Sequence, residues 1–101
     1  MENNAKKIAE LLRVLANEHR LVILCVLLEA PHTVGEIAEK VGHISQSALS
    51  QHLALLKAHG ILESEKSGLN VTYSIADKRV KEVIDVLKAY YCPHSQLAAQ
   101  Q

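Results

Sequence analysis

From Thr33 to Gly60 the chain is written in helix-end signals, which leave little freedom for anything but two short helices in succession. Thr33-Val34-Gly35-Glu36 is a capping box. In that pattern a hydroxyl and a carboxylate three residues apart each accept from a backbone N–H that a helix start leaves unpaired. It opens a helix through about Val41, and Gly42 supplies the stop. Ser45 caps the next helix, which runs to about His59 and ends at Gly60. Two short helices joined by a tight glycine-containing turn form a helix-turn-helix.

The second of these helices has an unusual surface. Between Lys40 and Glu63 lie twenty-two residues, VGHISQSALSQHLALLKAHGIL, without an Asp or Glu, although acids and bases balance at 11 each over the chain. Leu49, Leu53 and Leu56, at i, i+4 and i+7, make one apolar stripe. The opposite side shows Ser47, Ser50, Gln51 and Ala54. A surface helix normally covers its wet face with Glu and Lys. Hydroxyls, amides and methyls cleared of negative charge suit insertion between phosphates against base edges. The pattern predicts a helix that reads double-stranded DNA.

The flanking segments complete the frame. Ile8, Leu11, Leu12 and Leu15 mark a first amphipathic helix, with Lys6, Lys7, Glu10 and Arg13 on its wet side. Asn17 is a predicted N-cap for a second helix over about Glu18–Glu29, with Glu18 where the helix dipole favours an acid. That helix is apolar nearly all round from Leu21 to Leu28, so it is expected at the centre; Pro31 stops it. Behind the helix-turn-helix, Ile61–Glu65, a turn at Lys66-Ser67-Gly68-Leu69-Asn70, and the alternating Val71–Ile75 read as a β-hairpin, the wing. Asp77 caps a last helix with apolar Val80, Val83, Ile84, Leu87, Tyr90 and Tyr91. Pro93 ends it near Cys92, and Ser95–Gln101 reads as a frayed tail.

A winged helix closes its core with its three central helices and the hairpin. The first and last helices are additional, and both carry wide apolar stripes. They are expected to pack together and against a second copy. The fold class is therefore mostly α with a β-hairpin wing: a winged helix-turn-helix, one domain over residues 1–101, homodimeric through its first and last helices. A symmetric dimer presents two reading helices about 34–36 Å apart to a palindromic site.

Length and composition bound this reading. A chain of 101 residues has room for one domain. Its formal net charge of +0 is unlike that of a polybasic nucleic-acid binder, so contact with DNA has to depend on local charge. The longest apolar run, Leu21–Leu28, is eight residues, against about 18 for a membrane span. MENNAKK leads into an amphipathic stretch and not a signal-peptide core. A cytoplasmic protein with no membrane partner is expected, and in a reducing compartment its two cysteines suit reversible chemistry better than a permanent staple. No Cys-x-x-Cys lies on a βαβ pattern, and no phosphate loop or paired carboxylates appear. Neither an enzyme nor a resident cofactor is expected.

The residues resemble those of the ArsR family of bacterial winged-helix repressors over nearly the whole chain. Leu15-Ala16-Asn17-Glu18-His19-Arg20-Leu21-Val22-Ile23-Leu24 is similar to the family's second-helix signature. Ser45-Gln46-Ser47-Ala48-Leu49-Ser50-Gln51-His52-Leu53 is similar to its recognition helix. The resemblance implies a homodimer that occupies operator DNA and releases it when an inducer binds. It implies that Gln46, Ser47, Ser50 and Gln51 read the bases, with His52 and Lys57 as nearby supports. By helical spacing alone His52 flanks the Leu stripe, where a core-edge hydrogen bond is an equal alternative to a phosphate contact. At the wing tip, where many relatives carry Arg, this chain offers Lys66 beside Ser67, Gly68, Leu69 and Asn70.

Two metal-sensing arrangements of the family are missing. Thr33-Val34-Gly35-Glu36-Ile37 holds no thiol where a Cys-x-Cys motif would stand, and Asp77 is followed by Lys78 and Arg79 without the His ligands of the last-helix site. No metal site is expected. What remains is Cys25 in the second helix and Cys92 at the end of the last. Taken alone, a Cys in an apolar helix is ordinarily a small core residue. The pair, however, resembles the dithiol, persulfide-sensing branch of the family, the BigR- and SqrR-like proteins and hemolysin regulators. That likeness implies that reactive sulfur species link Cys25 to Cys92. A direct disulfide requires Cα atoms about 4.4–6.8 Å apart, and a wider pair favours an inserted-sulfur bridge. His19 and His94 are candidate helpers. A metal-responsive repressor using Cys25, Cys92 and His94, a thiol oxidoreductase, and a winged helix used only for protein contacts are the alternatives.

Overall fold

The computed structural model describes residues 2–91 of the chain; Cys92, Pro93 and His94 therefore lie outside the described residues. The elements are α1 (Glu2–Leu15), α2 (Glu18–Glu29), β1 (His32–Thr33), α3 (Val34–Val41), α4 (Gln46–Ala58), β2 (Leu62–Ser67), β3 (Asn70–Ile75) and α5 (Lys78–Tyr91). Their order is that of a winged helix-turn-helix, mostly helical with a β-hairpin wing.

Each predicted cap is in place. Asn17 accepts from the Arg20 N–H at 3.1 Å. Thr33 Oγ1 accepts from the Glu36 N–H at 3.2 Å, and Glu36 Oε1 accepts from the Thr33 N–H at 2.9 Å, completing the capping box. Ser45 Oγ accepts from the Ala48 N–H at 3.1 Å. Asp77 Oδ1 accepts from the Arg79 N–H at 2.9 Å and starts α5. Gly42, at φ 68 and ψ -172, takes an extended positive-φ conformation that favours glycine and ends α3, and its N–H donates to the Ala38 carbonyl at 3.1 Å.

One apolar cluster joins the elements. Ile23, Leu24 and Leu27 of α2, Ile37 of α3, Leu49, Leu53 and Leu56 of α4, and Val80 and Ile84 of α5 are all buried in it. Ile61 and Leu62 seal the base of the hairpin. The predicted central helix is central: α2 packs against α3, α4, α5 and β3. Glu29 at its end meets Lys88 of α5, N···O 3.6 Å.

The sheet departs from expectation in two ways. It has three strands, ordered β1-β3-β2, all antiparallel. β1 is only His32 and Thr33, paired with Tyr73 and Thr72; two residues are too few to show alternation, and Thr33 is at the same time the cap of α3. The wing loop is also tighter than the predicted turn over Lys66–Asn70. Pairing continues to Ser67↔Asn70, leaving Gly68 and Leu69 as the loop. Gly68 has φ 63, as the first position of a two-residue type II′ loop requires.

The terminal helices differ from the body. Leu15 is buried and Leu11 and Val14 pack against the core, but Ile8 and Leu12 are exposed. Among the described residues of one chain α1 and α5 form no extensive contact, so their expected mutual packing is not met there. On α5 the predicted apolar positions divide. Val80 and Ile84 face inward, whereas Val83, Leu87, Tyr90 and Tyr91, joined by Val86, are exposed. Among the described residues no helix is long and apolar enough to cross a membrane.

Candidate nucleic-acid interface

The geometry of α4 follows from its spacing. Leu49, Leu53 and Leu56 anchor one face in the core at 0–2 % exposure. Gln46, Ser47, Ser50, Gln51 and Ala54 are exposed on the rest of the helix. Ser45 sets the first turn, where four backbone N–H groups lack helical partners and the dipole is positive. Gln46 belongs to that turn. With Leu49 it lines a groove shared with Ile44 and with Leu69, Asn70 and Val71 of the wing, so the start of α4 and the wing tip face one space.

The wing extends the same surface without crowding it with acid. Residues two apart on a strand share a face. Leu62, Ser64 and Lys66 therefore lie on the side of β2 that meets α4, and Glu63 and Glu65 on the other. The paired residues agree: Ser64 stands opposite Tyr73 and Lys66 opposite Val71, on the core side, whereas Glu63 and Glu65 stand opposite Ser74 and Thr72. Lys57 of α4 donates from Nζ to Ser64 Oγ at 2.8 Å, a strut between the helix and the wing. Lys66 is exposed. Leu69 at the tip is 99 % exposed.

His52 sits differently from its neighbours on α4. It is half-buried, and the Arg20 Nη1 lies 3.4 Å from its Nδ1. Its ring lies beside that of His19, with centroids 5.7 Å apart. Burial first, then the charges of Arg20 and His19, push the His52 pKa below its ordinary value. A neutral imidazole can accept the guanidinium N–H; a protonated one cannot. His52 thus makes a core-edge contact with Arg20. No local sequence pattern predicts this contact, because Arg20 and His52 are 32 residues apart.

Cys25 lies on α2, half-buried, against the core cluster. Its proposed partner Cys92 and the helper His94 fall outside the described residues. His19, the other helper, has its ring against His52 on α4. Among the described residues no group of three or more His, Cys, Asp or Glu could hold a metal ion.

Comparison with known proteins places this geometry. Residues 17–64 match the model of the bacterial regulatory protein, arsR family, which spans α2 through the first half of β2. The chain is 43% identical to the transcriptional activator HlyU of Vibrio cholerae, over 95% of this chain and 88% of that one. It is 31% identical to the biofilm growth-associated repressor of Xylella fastidiosa, over 97% of this chain and 85% of that one. The structure of reduced HlyU from Vibrio cholerae superposes with a TM-score of 0.86, covering 91% of this chain and 96% of that one at 43% identity. The solution structure of a homodimeric winged helix-turn-helix DNA-binding domain from Mycobacterium bovis superposes at 0.76, covering 94% and 87% at 26% identity. With the capped helix pair, the wing and the acid-free outer face of α4 on the same frame, the chain belongs to the ArsR family of bacterial transcriptional regulators.

Proposed function

We propose that this regulator is a cytoplasmic homodimeric repressor. In this reading it occupies operator DNA through α4 and releases it when sulfur links Cys25 to Cys92. The observation that carries the proposal is the outward face of α4. It holds short hydroxyls and amides at Ser47, Ser50 and Gln51 and no acidic side chain, whereas the acids of β2 lie on the opposite face of the wing. Gln46, Ser47, Ser50 and Gln51 read base edges in the major groove. Lys66 contributes charge toward the phosphates, and His52 and Lys57 support α4 from behind and from its side. The exposed apolar residues of α1 and α5 bury against those of a second copy, as in a dimer that presents two reading helices. The homodimeric relative favours that assembly.

The switch rests on two thiols. Glu29 and Lys88 hold the end of α2 beside α5; Cys25 lies four residues before Glu29, and the chain reaches Cys92 four residues after Lys88. That spacing favours a bridge between the two elements, as does the likeness to HlyU of Vibrio cholerae, whose structure is known in a reduced form. The inducer is a low-molecular-weight persulfide, RSSH. One cysteine thiolate attacks its outer sulfur, forming a protein persulfide and releasing RSH. The other cysteine attacks the inner sulfur of that persulfide, forming the disulfide and releasing hydrogen sulfide. A further RSSH inserts one sulfur into the bridge and leaves as RSH. Tying α2 to the end of α5 shifts the dimer packing and the separation of the two α4 helices, which lowers operator affinity. The regulator itself catalyses no turnover.

The test is operator binding before and after polysulfide. Wild type is expected to release DNA, while Cys25→Ser and Cys92→Ser bind normally and stay bound. Intact mass is expected to show sulfur increments or a loss of two hydrogens in wild type. Release by either serine variant contradicts the dithiol switch.

A further inference from the structure

We propose that Arg20 is a positioning residue that clasps the end of α1 to the reading helix α4 and so fixes the separation of the two reading helices in the dimer. The inference rests on the dimeric, DNA-reading function proposed above, and it concerns residues outside both the reading face and the thiol pair.

Three features of the junction carry it. First, α1 has few other attachments. Apart from Leu15 and the partial packing of Leu11 and Val14, among the described residues it makes no extensive contact with any other element. Its direction relative to the body therefore depends on how its C-terminus is held. Second, Arg20 holds that terminus. Helix α1 closes with the Ala16 N–H donating to the Leu12 carbonyl and the Asn17 N–H to the Leu15 carbonyl. The Val14 carbonyl, in the last turn, accepts from Arg20 Nε at 2.6 Å. A cation at this end also complements the helix dipole. Third, the same guanidinium reaches α4, with Nη1 at 3.4 Å from His52 Nδ1. His52 directly follows Gln51 on that helix. Its ring packs beside His19, which precedes Arg20. The Arg20 backbone is itself fixed, because its N–H donates to the Asn17 cap.

One planar group thus joins the helix expected to hold the second copy to the helix expected to enter the groove. An arginine is suited to doing both. Its fork offers Nε and Nη donors in fixed relation, whereas a lysine ammonium donates from a single flexible point and holds the two acceptors in no fixed relation. If the clasp loosens, each α4 swings relative to its own α1. The dimer then tolerates half-site spacings that the intact protein rejects, while each half-site is read as before.

The experiment uses an operator selected from random duplexes by the wild-type protein, remade with the half-sites moved closer or farther by one and by two base pairs. The readout is spacing discrimination, the ratio of affinities for native and shifted spacing. Wild type is expected to discriminate. Arg20→Lys is expected to lose about fivefold or more of that ratio, with unchanged affinity for a single half-site and an unchanged dimer dissociation constant. His52→Leu is expected to lose the ratio as well, and His52→Asn, which keeps an acceptor near the Nδ1 position, to retain it. Melting of each variant by circular dichroism confirms folding, and Arg20→Gln replaces Arg20→Lys if the lysine variant is unfolded. Wild-type discrimination in a folded Arg20 variant overturns the clasp and leaves the dimeric reading standing. So does an equal loss on the single half-site, which would make Arg20 a direct DNA contact. A wild-type protein that ignores spacing overturns both.

Discussion

Helices α4 and α5 are embedded in the same core in the same way, yet their outer faces are chemically opposite. Each buries a short apolar stripe, Leu49, Leu53 and Leu56 on one and Val80 and Ile84 on the other. Outside, α4 carries Ser47, Ser50, Gln51 and Ala54, whereas α5 carries Val83, Val86, Leu87, Tyr90 and Tyr91. The inner stripes explain why both are helices of this body. They do not explain the outer faces. Exposed aromatic and branched residues gathered on one helix mark a surface that another protein covers. Short hydrogen-bonding groups without charge suit a partner that is polar, wet and negatively charged. In the function proposed above, this contrast gives one helix to a second copy and the other to a duplex.

The largest expected effect comes from making the outer face of α5 resemble an ordinary wet helix. Val83→Glu with Leu87→Glu places two like charges where a second copy is expected, at positions exposed in the single chain. Sedimentation is expected to show a folded monomer, and operator binding to vanish at concentrations that saturate wild type. A dimer that survives both changes would move the interface elsewhere.

Next in size is the difference between the two sides of α4. Leu53→Ala is expected to cost about 2–5 kcal/mol of stability in denaturant unfolding, for the loss of a buried side chain and the cavity left behind. Ser50→Ala is expected to stay within about 0.5 kcal/mol of wild type. Equal costs at the two positions would mean that the outer face is packed and not presented.

A smaller effect separates the helix starts. Ser45 caps α4 with a hydroxyl that does not titrate, and Asp77 caps α5 with a carboxylate. Asp77→Ala is expected to cost about 0.5–2 kcal/mol at neutral pH, the usual loss for an N-cap. The Arg79 side chain, whose Nη2 lies 2.7 Å from Oδ2, is the main cause holding the Asp77 pKa below its usual 3.8; backbone donors assist and burial opposes. Because the folded state binds this proton less readily than the unfolded one, stability rises with pH across the interval between the two pKa values. The contribution of Asp77 is present above about pH 4 and lost as pH falls through the depressed folded value. The variant is expected to show a shallower acid transition than wild type.

Much of this was legible in local sequence, for identifiable reasons. Caps are short-range objects, so Asn17, Thr33 with Glu36, Ser45 and Asp77 could be read from types and spacing. The Leu stripe of α4 and the buried run of α2 are periodic signals longer than their own noise. The rest was hidden where the cause is not local. Strand β1 exists only because β3 lies beside it. The tight loop at Gly68 and Leu69 depends on how far β2 and β3 stay paired. The division of α5 into inner Ile84 and outer Val86 depends on where α2 lies. The Arg20–His52 contact joins two ends of the fold across 32 residues. The facing of Glu63 and Glu65 away from α4 was available from period-two alternation once the register of β2 was known.

The central claim is that the uncharged outer face of α4 reads DNA, and the affinity of a Ser47→Ala, Gln51→Ala double variant for the selected operator tests it most directly. The account predicts a loss of about 1–3 kcal/mol for each base contact removed, with binding to unrelated duplex and thermal stability unchanged. Wild-type operator affinity in that variant would contradict it.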